Sequence, residues 1–119
     1  MTAIKRHTTP NIIIEVKDVN MDDITEVMFA VKNVNDETAP LLFPIKNVVR
    51  NTEPECFLKI DDKSFNVMLK LTKEETLKIP KGRFFIDVLP VAGAEMLNAG
   101  PPLEMEALPT FFGGVDNRG

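Results

Sequence analysis

Short segments in which apolar and polar residues alternate recur along the chain, and Asp, Asn, Pro and Gly are concentrated between them. Residues 12–16 (IIIEV) are rich in β-branched side chains, which predicts a first strand. In residues 24–32 (ITEVMFAVK), Val27, Phe29 and Val31 share one face at a period of two, which predicts a second strand. Because positions 24, 27, 28 and 31 also fit a helical period, a helix is the alternative, but the NVND turn that follows favours the strand.

The middle of the chain contains the clearest predicted hairpin. Residues 56–60 and residues 65–71 both alternate, and the polar turn DDKS (residues 61–64) separates them. Pro40 precedes the apolar segment before this hairpin, residues 41–49, and Pro44 lies within it. Because proline cannot donate a backbone hydrogen bond, we expect an edge strand or an irregular crossover there.

Residues 71–89 (LTKEETLKIPKGRFFIDVL) predict a helical turn directly before a strand. Thr72 and Glu75 have the spacing of a capping box, in which the two side chains satisfy free N–H groups at a helix start. Pro80 ends the helix, and Gly82 relieves the backbone where the strand begins. Apolar residues then occupy both faces of residues 83–89, which is typical of a central strand covered on both sides.

Residues 103–107 (LEMEA) alternate again and predict the last strand, which Pro109 ends. Six or seven short strands, with one helical turn before the penultimate strand, are typical of an all-β, immunoglobulin-like β-sandwich. In such a fold the turn carries the chain from one sheet to the other. We therefore expect one domain with an N-terminal arm (residues 1–11), a sandwich (residues 12–107) and a C-terminal arm (residues 108–119).

Composition narrows the classes of function. The 119 residues carry a net charge of −4, from 14 basic and 18 acidic residues spread along the chain, so we expect no nucleic-acid partner. No secretion signal or long apolar run is visible, which predicts a soluble, unexported chain without a membrane partner. Eight Phe without Tyr or Trp weaken a sugar-binding interpretation.

No constellation of residues predicts catalysis. His7 stands alone near the N-terminus, where we expect a solvated side chain, and Cys56 is far from it in a predicted strand, where we expect a core residue. Asp18, Asp22 and Asp23 cluster without the glycine and final glutamate of an EF-hand. The sequence has no GxxxxGK[ST] or GxSxG motif. We therefore expect no enzyme, no catalytic residue, no metal and no cofactor.

The C-terminal arm supplies the candidate partner-binding residues. Leu108, Phe111 and Phe112 lie at or beyond the end of the last predicted strand. Extended chain ends can add a strand to an exposed sheet edge or insert aromatic anchors into a pocket of a neighbour. The same residues can instead fold back over their own sandwich, and the sequence leaves both possibilities open.

Three stretches, IKRHTTPNIIIEV, DITEVMFAVKN and LTKEETLKIPKGRFFIDV, lie within residues 4–89. They resemble small proteins encoded among the structural genes of tailed phages and prophages of Gram-positive bacteria. In that family a stretch of the type RHxTP precedes the first strand, and one resembling LTQEETLxLxxGxxxxQVR precedes the penultimate strand. The chain is also similar to the immunoglobulin-like N-terminal domain of upper-baseplate and receptor-binding tail proteins.

This resemblance implies a structural role in a virion, in the tail, baseplate, neck or capsid, with assembly in the host cytoplasm. The implied partners are other virion proteins and further copies of the chain, and no enzymatic activity is implied. Two alternatives remain from the residues themselves. One is a ligand-binding sandwich that recognises carbohydrate through calcium held by Asp18, Asp22 and Asp23, and the other is a small phage-encoded regulator that binds a host protein.

Overall fold

The computed structural model describes residues 2–111, and their secondary structure is almost entirely β. Its strands are β1 (Thr2–Lys5), β2 (Asn11–Lys17), β3 (Glu26–Lys32), β4 (Lys46–Val49), β5 (Phe57–Asp61), β6 (Ser64–Lys70), β7 (Gly82–Ala92), β8 (Glu95–Met96) and β9 (Leu103–Leu108). One α-helical turn, α1 (Lys73–Leu77), and two 3-10 turns, Met21–Asp23 and Pro54–Cys56, complete it.

The strands form two sheets. The large sheet has the order β1-β9-β7-β3-β4, with β8 paired to β7, and the small sheet has the order β2-β6-β5. In immunoglobulin lettering, the small sheet β2-β6-β5 corresponds to strands B, E and D. The part of the large sheet that runs β9-β7-β3-β4 corresponds to strands G, F, C and C′, so the two sheets have the immunoglobulin arrangement. The prediction of an all-β, immunoglobulin-like sandwich is confirmed. α1 lies between β6 and β7 and carries the chain from one sheet to the other, as the capping signature predicted.

The number of strands in the described residues is higher than the six or seven predicted. β8 has only two residues, and because it lies between β7 and β9, α1 precedes the third strand from the end. Residues 2–5, predicted to belong to an N-terminal arm, form β1 and pair in parallel with β9, where Ile4 is buried. At the other end, Leu108, predicted to open the C-terminal arm, is the last residue of β9.

Alternating side chains fill the space between the sheets with one core. Phe29 of β3, Phe65 of β6 and Phe84 of β7 come from both sheets and have no exposed surface, and burial of such side chains contributes about 1.5–3 kcal/mol each. β7 is central in its sheet, as predicted, but its outer face is less covered than we expected. Asp87 is exposed, and Phe85 and Leu89 are only half-buried, because no second sheet of the described chain packs over that face.

Candidate interaction surfaces

α1 begins with the complete capping box that the sequence predicted. Thr72 Oγ1 accepts the Glu75 N–H at 3.1 Å, and Glu75 Oε1 accepts the Thr72 N–H at 2.8 Å. Glu75 also accepts a hydrogen bond from Lys46 Nζ of β4 at 3.0 Å. Burial acts to raise the pKa of Glu75, but the Thr72 N–H and the Lys46 ammonium outweigh it and hold that pKa below its usual value. The turn is therefore attached to β4 as well as capped.

Thr76 joins this turn to the segment between β1 and β2. Its side chain is completely buried, and its hydroxyl accepts the backbone N–H of His7 at 3.1 Å and of Thr8 at 3.3 Å. The same hydroxyl lies 3.0 Å from the Thr8 carbonyl and 2.9 Å from the Lys73 carbonyl, to either of which it can donate. One hydroxyl thus satisfies backbone groups of a segment almost 70 positions away in the sequence.

Arg6 fixes the other end of α1. Its Nε donates to the Ile79 carbonyl at 2.7 Å and its Nη2 to the Leu77 carbonyl at 2.9 Å, so it bonds carbonyls that have no further helical turn to pair with. His7, between Arg6 and Thr8, has a φ of 70° and is half-buried, which differs from the solvated side chain we expected. Within the described residues its Nδ1 is buried without a hydrogen-bond partner.

The contacts of Arg6 and Thr76 join two of the stretches on which the family resemblance rests. RHTTP (residues 6–10) and TKEETLKIP (residues 72–80) are far apart in the sequence, yet their side chains and backbones bond each other at this corner. The two stretches therefore act together to hold the crossing between the sheets. They form a packing motif at this corner.

The predicted partner-binding residues lie at the C-terminal end of the described chain. Leu108 ends β9 with its side chain 39% exposed, while its carbonyl accepts the Arg6 N–H at 3.0 Å. Phe111 is 100% exposed. Phe112 lies outside the described residues. The structure thus brings Leu108 and Phe111 to one end of the large sheet, with Leu108 held by the sheet and Phe111 beyond it.

The aspartates considered as calcium ligands do not converge on one point in the described chain. Asp22 Oδ2 pairs with Lys59 Nζ at 2.8 Å, and Asp22 Oδ1 lies 3.9 Å from Arg50 Nη2. The hydrogen bond and charge of Lys59 hold the pKa of Asp22 below its usual value. Because cationic side chains already face this carboxylate, the geometry does not favour a calcium site at Asp18, Asp22 and Asp23.

Glu53, Glu55 and Cys56 are the described residues whose ligand atoms do come close, within 4.8 Å of one another. Cys56 is buried, as the sequence predicted. Its burial, together with the two glutamates, raises the pKa of its thiol, although Lys70 acts in the opposite direction. A metal needs the thiolate, so this environment disfavours the ligand form of Cys56.

A cleft of about 350 Å³ lies on the outer face of the large sheet, beneath the loop between β3 and β4. Lys32 Nζ ties that loop down by donating to the carbonyls of Asp36 at 3.2 Å and Glu37 at 2.8 Å. Phe85 and Asp87 form part of the opposite wall. The described lining contains no Ser, Thr, Cys or His, so it does not place one of these nucleophiles beside a base.

The outer face of the small sheet carries an apolar patch that our sequence reasoning missed. Ile13 of β2 is 55% exposed and Leu58 of β5 is 66% exposed, with Ile60 also exposed and Met68 half-buried beside Ile13. Exposed apolar side chains gathered on one face of a sheet can mark a protein contact. The unbroken run Ile12–Ile14 was the available signal, because successive strand residues point to opposite faces and one of them must face outwards.

Among the described residues, no helix has the length and apolar character that a membrane span requires. Comparison of the sequence with protein-family models and with curated proteins found no match.

Proposed function

We propose that this protein is a structural or assembly component of a phage virion, in the tail, baseplate, neck or capsid. It acts by binding other virion proteins and further copies of itself after synthesis in the host cytoplasm, and it has no enzymatic activity. The sequence resemblance supports the virion, and the exposed apolar groups support a role in protein contacts. The pairing of Asp22 with Lys59 and its closeness to Arg50 favour this proposal over the alternative of calcium-dependent sugar binding.

The observation that carries this proposal is the complete exposure of Phe111, three residues beyond the end of β9. Covering a Phe side chain is worth about 1.5–3 kcal/mol, so an uncovered ring at a chain end is available to stabilise a complex. Leu108, partly exposed and fixed by the Arg6 N–H, gives such a contact a rigid base. A partner pocket that receives both side chains would hold the segment against the end of the large sheet.

The proposal is tested by removing the anchor without disturbing the sheet. Deletion from residue 108 would remove part of β9, whereas a chain that ends at Pro109 keeps the whole strand. We expect sedimentation velocity to show that the intact chain self-associates or binds its neighbouring virion proteins, and that the chain ending at Pro109 and the Phe111→Ser variant do so more weakly.

The matched control is Met96→Ser, since Met96 is a large apolar residue that is 66% exposed away from the C-terminal segment. Its association should equal that of the intact chain. Equal association by the intact chain, the shortened chain and the Phe111→Ser variant would overturn the proposal.

A further inference from the structure

Four strands stand at the ends of the two sheets of the described chain, β1, β4, β2 and β5, and the two-residue β8 pairs only with β7. Folded proteins protect such edges with short strands, prolines or bulges, because an open edge can pair with another chain. β1 and β4 have four residues each, and Pro44 and Pro54 flank β4. β5 has an irregular register between Lys59 and Asp61. Three of the four edges are therefore blunted.

β2 is less protected within the strand itself, although Pro10 directly precedes it and Ala99 and Pro101 line a small pocket with its residues 14–16. It is seven residues long, contains no proline, and pairs with β6 in one unbroken register from Asn11 to Lys17. In an immunoglobulin sandwich of the constant type, strand A lies beside strand B in this sheet. Here β1 pairs with β9 of the large sheet, so no described strand occupies the place beside β2.

The hydrogen-bond pattern shows which groups of β2 face this open side. The Leu71 N–H donates to the Pro10 carbonyl at 3.1 Å, which makes Pro10 and Leu71 a hydrogen-bonded pair at the end of the β2–β6 ladder. Because such pairs alternate in antiparallel sheets, Ile12, Ile14 and Val16 bond β6. The remaining residues of β2 direct their backbone N–H and C=O groups away from β6, and in the described chain no hydrogen bond occupies those groups. These residues are Asn11, Ile13, Glu15 and Lys17.

We propose that β2 pairs with β2 of a second copy, antiparallel and about a two-fold axis at Ile14, so that two small sheets become one sheet of six strands. In this register Asn11 lies opposite Lys17 and Ile13 opposite Glu15, so every outward residue meets another outward residue and no like charges are directly opposite. A shift by two residues in either direction shortens the overlap from seven residues to five. One shift also places Glu15 opposite Glu15, which is unfavourable, and the other places Ile13 opposite Ile13. The two Ile13 side chains, exposed in one copy, become diagonal neighbours across the axis.

A second copy is the occupant that this edge itself specifies, because the contact is self-complementary and therefore closes as a two-fold dimer. Pairing of one short strand covers less than the roughly 800 Å² per partner of a standard stable interface. The dimer is accordingly weak in dilute solution and is favoured where copies are concentrated. This contact does not depend on the proposed virion role or on the C-terminal segment.

The first test uses proline, which removes a single outward N–H. Ile13→Pro leaves the β2–β6 bonds in place, and edge strands accept proline at such positions. The matched control is Asn47→Pro. The Arg50 N–H donates to the Thr25 carbonyl at 3.0 Å, so by the same alternation the Asn47 N–H points outwards from the edge strand β4.

Sedimentation velocity up to about 1 mM chain, the range that resolves weak dimers, should show the unsubstituted chain and Asn47→Pro dimerising alike. The dimer of Ile13→Pro should dissociate at least tenfold more readily. An unsubstituted chain that stays monomeric throughout, an Ile13→Pro variant that dimerises normally, or equal weakening by both prolines would each overturn the proposal.

A second test fixes the register and does not require proline to be tolerated. In the proposed dimer, residue 13 of one copy and residue 15 of the other form a hydrogen-bonded pair with Cα atoms about 5.5 Å apart, within the range of a disulfide. Oxidation of an equal mixture of the Ile13→Cys and Glu15→Cys variants should cross-link at least tenfold faster than a mixture of Ile13→Cys and Leu58→Cys. The same cross-link should form in chains that end at Pro109. Equal rates in the two mixtures, or loss of the cross-link on shortening, would contradict β2 pairing.

Discussion

Replacing Thr76 by valine removes one hydroxyl from the corner between the sheets while keeping nearly the same side-chain volume. In the native protein that hydroxyl accepts the N–H groups of His7 and Thr8 and lies within bonding distance of the Thr8 carbonyl. Valine and threonine have similar helix propensities, so the intrinsic preference of position 76 for α1 is nearly unchanged. The change removes the attachment of the N-terminal segment to α1, together with the contact of the hydroxyl with the Lys73 carbonyl.

The magnitude follows from the groups left without a partner. A buried donor or acceptor that loses its partner costs about 1–3 kcal/mol, and these contacts are only part-buried, so water can replace some of them. We therefore expect a loss of about 2–3 kcal/mol in the free energy of unfolding. That is a large fraction of the roughly 5–15 kcal/mol that stabilises a typical domain, and it corresponds to a fall of about 10 °C in the unfolding midpoint.

Urea unfolding measures this loss, with an unchanged slope showing that both proteins unfold from comparably compact states. Thr52→Val is the control, because the Thr52 hydroxyl also donates to a backbone carbonyl, that of Val49, but at an exposed position. Its effect should stay below about 0.5 kcal/mol, as for most exposed sites. A Thr76→Val protein as stable as the Thr52→Val control would refute the role given to the hydroxyl.

The remaining predictions concern three other groups. The lowered pKa of Glu75 means that its charge stabilises the fold above the usual glutamate pKa of about 4.3, and that this contribution is lost as the pH falls below it. Glu75→Gln keeps an acceptor for the Thr72 N–H but not the charge, so its stability deficit in urea should shrink between about pH 6 and pH 3; a constant deficit would contradict this. Gly82→Ala should cost about 1–3 kcal/mol in the same assay, because Gly82 has a φ of +110° although nothing lies within 4 Å of an added Cβ; an unchanged midpoint would exclude backbone strain. Cys56, buried and with a raised pKa, should react with a thiol reagent at least tenfold more slowly in the native protein than in urea, and equal rates would be evidence against its burial.

Local signals in the sequence predicted the elements that depend on neighbouring residues. The capping box of Thr72 and Glu75 spans one turn, and the hairpin of β5 and β6 is set by the residues around its own turn. β1 had no such signal, because its four residues become a strand only by pairing with residues 105–108, about 100 positions later.

The direction of side chains in β5 could not be predicted from alternation alone. A period of two separates Phe57 and Lys59 from Leu58 and Ile60 but does not say which set faces the core. The 3-10 turn that ends at Cys56 changes the phase, so consecutive residues Cys56 and Phe57 are both buried while Leu58 and Ile60 face outwards. The apolar patch on the small sheet was missed for this reason.

The candidate contact residues show a similar division. The sequence pointed to Phe111 because it is an aromatic residue beyond the last alternating strand. In the structure Phe111 is completely exposed, so its ring is available for a contact. Leu108 was assigned to the arm because the predicted alternation ended at Ala107, whereas its pairing with Lys5 extends β9 by one residue. The open side of β2 depends on where β1 pairs, so it could be recognised only from the assembled sheets.

Fluorescence of a Phe111→Trp variant tests the central claim, that Phe111 is an anchor for assembly, most directly. The chain contains no Trp and no Tyr, so the new indole would be the sole strong emitter and would report on one position. In dilute solution, where Phe111 is fully exposed, the emission should be that of a water-exposed indole. As the chain is concentrated or mixed with the virion proteins that we propose as its partners, the account predicts a shift to shorter wavelength that follows complex formation in sedimentation. Complexes that form while the emission stays water-like would contradict it.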